Sequence, residues 1–370
     1  MPLKYRAAVL HAAQTPMSIE TVIAADLKAT DVLVRIRATG LCHTDLEVID
    51  GSLRYPMPIV LGHEAAGVVE QAGPAARGVK VGDHVVLSWN PHCGHCFYCD
   101  RDTPILCEEY LGKGPQAVAF DGESRATLAD GGRLGQLMFL GSFGEYCIVP
   151  DQQAIAVPKE IPFDRACLIG CGVMTGVGAA LNLNAIARGD SVMVIGCGAV
   201  GLAAVQGARL AGAAIIIAVD LDPAKLALAG KMGATHGVDA TKDDAVAAGK
   251  RETAGRGVDV VIESAGSASA FRVTTEAVRP GGQIIWLGKI DVAKDVSFRW
   301  GSMMQEKRIR RVSYGNTRPR RDFPLLARAY LDGSLLLDDL ITRRIRLDEI
   351  NDGFAALRRG EAIRSVVMFD

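Results

Sequence analysis

The rhythm of hydrophobic and polar positions changes along the chain. From residue 7 to about 157, short apolar stretches alternate with polar positions and are broken by Gly and Pro. Residues 32–36 (Val-Leu-Val-Arg-Ile) and 67–70 (Gly-Val-Val-Glu) are examples, and they predict short antiparallel strands joined by turns. From Asp190 the pattern is different. Residues 191–195 form an unbroken apolar run, followed by Gly-rich residues and an Ala-rich helical stretch to Ala211. A β-branched run at 214–219, a helix at 223–231 and strands at 258–262 and 283–287 continue the series. Apolar strands alternating with helices predict a parallel sheet buried on both faces. Beyond about Tyr314 the regularity fades, and the chain ends in an apolar strand at 365–369. The predicted layout is a β-rich domain interrupted by an inserted dinucleotide-type domain. Neither an internal repeat nor a low-complexity segment is present.

Composition narrows the function classes. A chain of 370 residues suggests two domains, at roughly 100–200 residues each. Lys+Arg 41 against Asp+Glu 42 leaves net charge -1, which argues against a nucleic-acid or membrane-surface partner. The basic runs 307–311 and 318–321 are therefore read as solvated faces. The most apolar run, 211–219, is far shorter than the ~20 residues a membrane span needs. No apolar stretch follows the charged N-terminus, so a cytoplasmic protein is expected. Nine cysteines, an odd number, favour metal ligation over a disulfide framework.

The densest signal is Cys93-x2-Cys96-x2-Cys99-x7-Cys107. Four thiols within fifteen residues can close a tetrahedral site suited to structural zinc, with no position left for substrate. His92 and His95 lie nearby, but four thiolates already saturate the metal. The second signal is Gly196-Cys197-Gly198-Ala199-Val200-Gly201, placed after an apolar strand and opening a helix. There the glycines allow a tight turn and let the backbone approach a pyrophosphate at the helix N-terminus. Asp220 ends the next strand, where a carboxylate binds ribose hydroxyls and repels a 2′-phosphate, so NAD is expected over NADP. A third, dispersed set is Cys42 in Gly40-Leu41-Cys42-His43-Thr44-Asp45, His63 in Gly62-His63-Glu64, and Cys171 in Gly170-Cys171-Gly172. Together they supply three ligands and leave the fourth position of a catalytic zinc open. Spacing alone does not join them. Cys147, Cys167 and Cys197 have no partner at ligand spacing and are read as small apolar residues.

Residues 40–45, Gly62-His63-Glu64, the Cys93–Cys107 cluster, 170–176, 196–201 and 360–364 resemble the zinc-dependent medium-chain alcohol dehydrogenases. The likeness runs nearly the whole length, and residues 121–127 resemble the long branch holding the class III and aryl-alcohol enzymes. It implies an α/β fold, with a β-rich GroES-like catalytic domain interrupted by a Rossmann NAD-binding domain. The catalytic domain would span 1–172, with a structural-zinc lobe at 90–110, and resume at 315–370. The Rossmann domain would span 173–314. Two zinc ions per chain are implied: one on Cys42, His63 and Cys171, and one on the four-cysteine cluster. Asp45 would fix the His63 tautomer, and Glu64 would be an occasional ligand. Thr44 would hand the alcohol proton to the cofactor ribose. Thr175 and Val200 would pack around the nicotinamide, Asp220 and Lys225 would hold the adenosine ribose, and His43 and Arg364 would contact the pyrophosphate. Trp89, Phe139 and Leu140 would wall the substrate pocket.

Departures from the family pattern refine the substrate class. Glu47 stands where several relatives carry a His that passes the proton to solvent, so the relay uses Glu47, water, or ends at the ribose. The glutathione-adduct formaldehyde dehydrogenases carry an Arg where this chain has Leu111. The segment before Gly62-His63 is also shorter than theirs. A free primary alcohol, aryl or medium-chain, is therefore the expected substrate, oxidised reversibly to an aldehyde. A thiol adduct of formaldehyde is the nearer alternative, and a non-catalytic NAD- and zinc-binding protein the farther one. A homodimer or homotetramer is expected.

Overall fold

The computed structural model describes residues 2–370, which divide into two compact units. The first comprises the chain up to Cys171 together with Arg318–Asp370, and the second is Gly172–Thr317.

In the first unit the described residues build sheets of five and seven strands. The larger sheet centres on Asp31–Gly40, which pairs antiparallel with Ala65–Ala72, Tyr146–Pro150 and the C-terminal strand Ser365–Met368. The returning strand explains why the regularity fades after Tyr314: the chain is rejoining the sheet it left. The other sheet runs from Ala126–Leu128 through Ser18–Ala24 and Lys4–Leu10 to Ile59–Val60 and Gly135–Gln136. Its inner face meets a core that includes Val9, Leu41, Leu61, Phe143 and Phe354. The expected antiparallel strands are present. His43–Asp50, within the region read as strands and turns, is instead a helix. Its first turn is held by Cys42 and Asp45 rather than by Ser or Thr, so the usual capping cue is missing.

The second unit is a six-stranded parallel sheet. Its order is His236–Asp239, Ile215–Asp220, Ser191–Ile195, Val258–Glu263, Val278–Trp286, Arg308–Arg311. Numbered along the chain this is 3-2-1-4-5-6, the doubly wound Rossmann order, with its switch point between Ser191–Ile195 and Val258–Glu263. Met193, Ile217, Val261 and Ile284 are buried, as the unbroken apolar runs require. The strand expected at 283–287 begins earlier, at Val278, because the register slips between Val258 and Val260. Pro280 and Gly281 fill that irregularity and look like a break in the sequence. The basic run at 307–311 includes the edge strand, mostly exposed, where charge protects an open sheet edge. Arg318 of the second basic run and Asp102 both belong to the first unit and form an ion pair within it. Helical residues Phe163–Leu181 are long and apolar enough to cross a membrane, but 78% of that stretch is buried inside the protein.

Candidate active site and metal centres

Cys42 precedes the helix His43–Asp50, His63 follows the short strand Ile59–Val60, and Cys171 sits in a π-helical turn, Ile169–Val173. Such turns recur at functional sites because one extra residue per turn redirects a side chain. The fold brings the three together: their ligand atoms all lie within 4.8 Å of one another. Gly62 makes the approach possible, with φ +92 and a Cβ position 2.6 Å from the Phe143 ring.

Asp45 organises the site. It is fully buried and accepts from Gly62 N at 2.9 Å, Cys42 N at 3.1 Å and His63 Nδ1 at 3.3 Å. That last bond occupies Nδ1 and leaves Nε2, buried and without a hydrogen-bond partner among the described residues, as the ring atom able to ligate a metal. A buried imidazole nitrogen beside two thiols, fixed from its far side, is the chemistry of a zinc ligand set. The Cys42 thiol is held well below its ordinary pKa, first by its hydrogen bond with Cys171 and also by His63. Glu64 is buried as well, and neither carboxylate oxygen has a hydrogen-bond partner. Burial pushes its carboxyl up to about 8 against the pull of Arg364, whose Nε lies 3.5 Å from Oε1. Arg364 is itself buried and donates to the Leu41 carbonyl at 2.7 Å. Thr44 is buried, Glu47 half-buried and His43 exposed on the helix that follows Cys42.

The four thiols of Cys93, Cys96, Cys99 and Cys107 likewise lie within 4.8 Å of one another. Tetrahedral thiolates around zinc are separated by about 3.8 Å, as follows from a bond of about 2.3 Å. Cys93 and Cys99 sulfurs are 4.0 Å apart, close to that value. Gly94, with φ +83, supplies the turn between the first two ligands. Backbone N–H groups support the cluster: Cys93 N donates to Cys107 Sγ at 3.3 Å, and hydrogen bonds led by the backbone of Glu108 lower Cys96 to about 6.

In the second unit the fingerprint glycines do three different things. Gly196 has φ +91, a left-handed turn that favours glycine. Gly201 packs so tightly that a Cβ would lie 1.7 Å from the Gly196 carbonyl oxygen. Around Gly198 a Cβ would meet nothing within 4 Å, leaving the backbone clear at the N-terminus of helix Ala199–Ala211. Asp220 ends strand Ile215–Asp220 and accepts from Cys197 N at 2.6 Å and Leu221 N at 2.8 Å. Lys225, Val200 and Thr175 are all half-buried in this unit.

Two family descriptions match: Alcohol dehydrogenase GroES-like domain over residues 28–159 and Zinc-binding dehydrogenase over 199–331. Alcohol dehydrogenase class-3 of Cereibacter sphaeroides is 35% identical over 376 residues, covering 99% of this chain and 100% of the relative. The chain belongs to the zinc-dependent medium-chain alcohol dehydrogenases. Within that family, S-(hydroxymethyl)glutathione dehydrogenase of Saccharomyces cerevisiae is 35% identical, with 100% of this chain and 97% of the relative covered. The crystal structure of benzyl alcohol dehydrogenase from Acinetobacter calcoaceticus superposes with TM-score 0.94 at 32% identity, covering all of both chains.

The expected alcohol-dehydrogenase pocket residues form part of an aromatic run. Trp89 lies 6.2 Å from Tyr110, Tyr110 lies 5.4 Å from Phe139, and Phe139 lies 5.8 Å from Phe120. Phe139 and Leu140 are buried, and Cys147 Sγ donates to the Leu140 carbonyl at 3.1 Å. Tyr110 is the residue the sequence reading missed. Burial first, then Tyr55 and Cys171, push its phenol up. Its one sequence cue is a position three residues beyond Cys107. Leu111 is exposed. Cys147, Cys167 and Cys197 are buried, their thiols pushed up chiefly by burial, as small apolar residues should be.

Proposed function

We propose that this alcohol dehydrogenase oxidises a primary alcohol, aryl or medium-chain, to its aldehyde by reversible hydride transfer to NAD. The observation that carries the reading is the buried His63 Nε2, unpartnered beside Cys42 and Cys171 while Asp45 fixes the other face of the ring. Cys42, His63 and Cys171 would hold a zinc ion, whose Lewis acidity would favour loss of the alcohol proton near neutral pH. A second zinc, on Cys93, Cys96, Cys99 and Cys107, is structural, because four thiolates close the site.

The chain's own residues do the rest. Asp45 holds the His63 ring in one tautomer and orientation. Thr44 Oγ takes the alcohol proton and passes it toward the cofactor ribose, and Glu47 or water carries it on. Gly196, Gly198 and Gly201 hold the pyrophosphate turn open, and Asp220 with Lys225 binds the adenosine ribose. Thr175 and Val200 pack on the nicotinamide. His43 and Arg364 are assigned to the pyrophosphate, a role that for Arg364 competes with its pairing to Glu64. Glu64 is an occasional ligand. Trp89, Phe139 and Leu140, joined by Tyr110, wall the substrate.

A second reading, oxidation of a thiol adduct of formaldehyde, is favoured by the S-(hydroxymethyl)glutathione dehydrogenases among the relatives. Apolar Leu111 weighs against it. Incubating the zinc-loaded enzyme with NAD and benzyl alcohol, hexanol, or formaldehyde plus glutathione, while following NADH absorbance, separates the two. Turnover of the adduct alone would reverse our preference, and no NADH with any of the three would reject both. We further propose a cytoplasmic homodimer or homotetramer.

A further inference from the structure

Glu263 takes no part in the chemistry above, yet it is completely buried at the C-terminal end of the central strand Val258–Glu263. A buried carboxylate is costly unless hydrogen bonds compensate it. Its Oε1 accepts from Gly266 N at 2.6 Å, while Oε2 has no hydrogen-bond partner. The backbone N–H groups of Gly266, Ala265 and Gly288 and the guanidinium of Arg311 favour its charged form, but burial outweighs them and raises its pKa. Gly288 lies so close that a Cβ there would stand 2.4 Å from Oε2. Leu287 N and Gly288 N also donate to the Glu263 main-chain carbonyl, at 2.8 and 3.0 Å. One residue thus ties together the two loops that leave adjacent strands at the same end of the sheet.

The tie extends to the glycine fingerprint. Ser264, next in the chain, donates through Oγ to the Gly196 carbonyl at 2.8 Å. Its backbone N donates to Ile195 O at 2.8 Å, and a Cβ on Gly196 would come within 2.7 Å of Ala265 N. In open parallel sheets a dinucleotide lies across these C-terminal strand ends, at the switch point. Here the switch point falls between Ser191–Ile195 and Val258–Glu263, the strands that carry the fingerprint and Glu263.

We infer that Glu263 is a positioning residue for the dinucleotide: its carboxylate holds the loop after Val258–Glu263 at Gly266, its main-chain carbonyl holds the loop after Val278–Trp286, and the adjoining Ser264 buttresses the Gly196 turn. The inference rests on the NAD reading above. Glu263→Gln keeps the size and an oxygen for Gly266 N but removes the charge that strengthens that hydrogen bond. Loss of a charge-assisted hydrogen bond should raise the NADH Kd by about tenfold.

The test uses the zinc-loaded enzyme, with NADH affinity by fluorescence titration, KM for NAD and for alcohol, and zinc content. In Glu263→Gln the NADH Kd and NAD KM should rise while alcohol KM and zinc content stay at wild-type values. Ser264→Ala should move NADH affinity in the same direction. The double variant should be little worse than the weaker-binding single, since both substitutions break one chain of contacts. Unchanged NADH affinity in either single variant, or fully additive losses in the double, overturns the inference. If Glu263→Gln does not fold, Ser264→Ala decides alone. A wild-type enzyme that binds no NADH overturns the NAD reading itself, a different result from wild-type affinity in the variants.

Discussion

Asp45→Asn is the most exacting test of the catalytic centre, because it changes charge and hydrogen-bond polarity while leaving shape intact. In the wild type, Asp45 Oδ1 accepts from Gly62 N and His63 Nδ1, and Oδ2 accepts from Cys42 N. Asparagine offers one oxygen and one NH2. With the oxygen at the Oδ1 position, the NH2 faces the Cys42 N–H. Flipped, it faces Gly62 N–H and the His63 ring. Either way at least one buried donor is left unsatisfied, at about 1–3 kcal/mol. The contact to His63 also loses its charge assistance, which is roughly half its strength. Those losses fall on the residue orienting a ligand, where such changes typically weaken metal affinity by about 10- to 100-fold. The assay is competition with a graded series of chelator concentrations, followed by metal analysis. Asp45→Asn should lose one zinc at chelator concentrations that wild type survives, while the four-thiolate zinc is retained. Identical competition curves for the two proteins would refute the reasoning.

Other expectations are as direct. Cys171→Ser should fold and hold about one zinc against about two for wild type, whereas Cys99→Ser should lose solubility or melt early, because structural zinc supplies folding energy; equal metal content in Cys171→Ser and wild type would remove the catalytic site. Gly198→Ala should melt like wild type, since its Cβ meets nothing within 4 Å, yet bind NADH more weakly; Gly201→Ala, with a Cβ 1.7 Å from a carbonyl oxygen, should melt early. If Gly198→Ala binds NADH normally, the open backbone there is not a ligand surface. Asp220→Asn should improve the NADP-to-NAD ratio of kcat/KM by removing a charge that repels the 2′-phosphate, and an unchanged ratio makes Asp220 only the anchor of the Cys197 turn. Thr44→Ala should lower turnover by ~10²–10⁴-fold with zinc and NADH binding intact; wild-type turnover would show that the proton leaves by another route.

What could be read from sequence was what local pattern encodes. Strand Ser191–Ile195, the three glycines and helix Ala199–Ala211 are contiguous, and each glycine's burden, a turn, an open backbone or a close packing contact, is settled within a few residues. The four-cysteine lobe is local in the same way. The catalytic set is not. Cys42, His63 and Cys171 are joined by sheet register and by a π-turn that no spacing announces, so resemblance had to connect them before geometry did. The helix His43–Asp50 escaped because a cysteine and an aspartate, both serving the metal site, stand where capping serine or threonine would have signalled a start. The same competition hides Glu263, which closes an apolar strand and looks like an ordinary solvent-facing end. Only the sheet order, which buries that end between two glycine loops, shows why a carboxylate there is worth its desolvation. Tyr110 is the clearest case. Its partners Trp89 and Phe139 lie more than twenty residues away on either side of it in the chain. Residues like these carry function through long-range packing, and their types are common enough that no local window sets them apart.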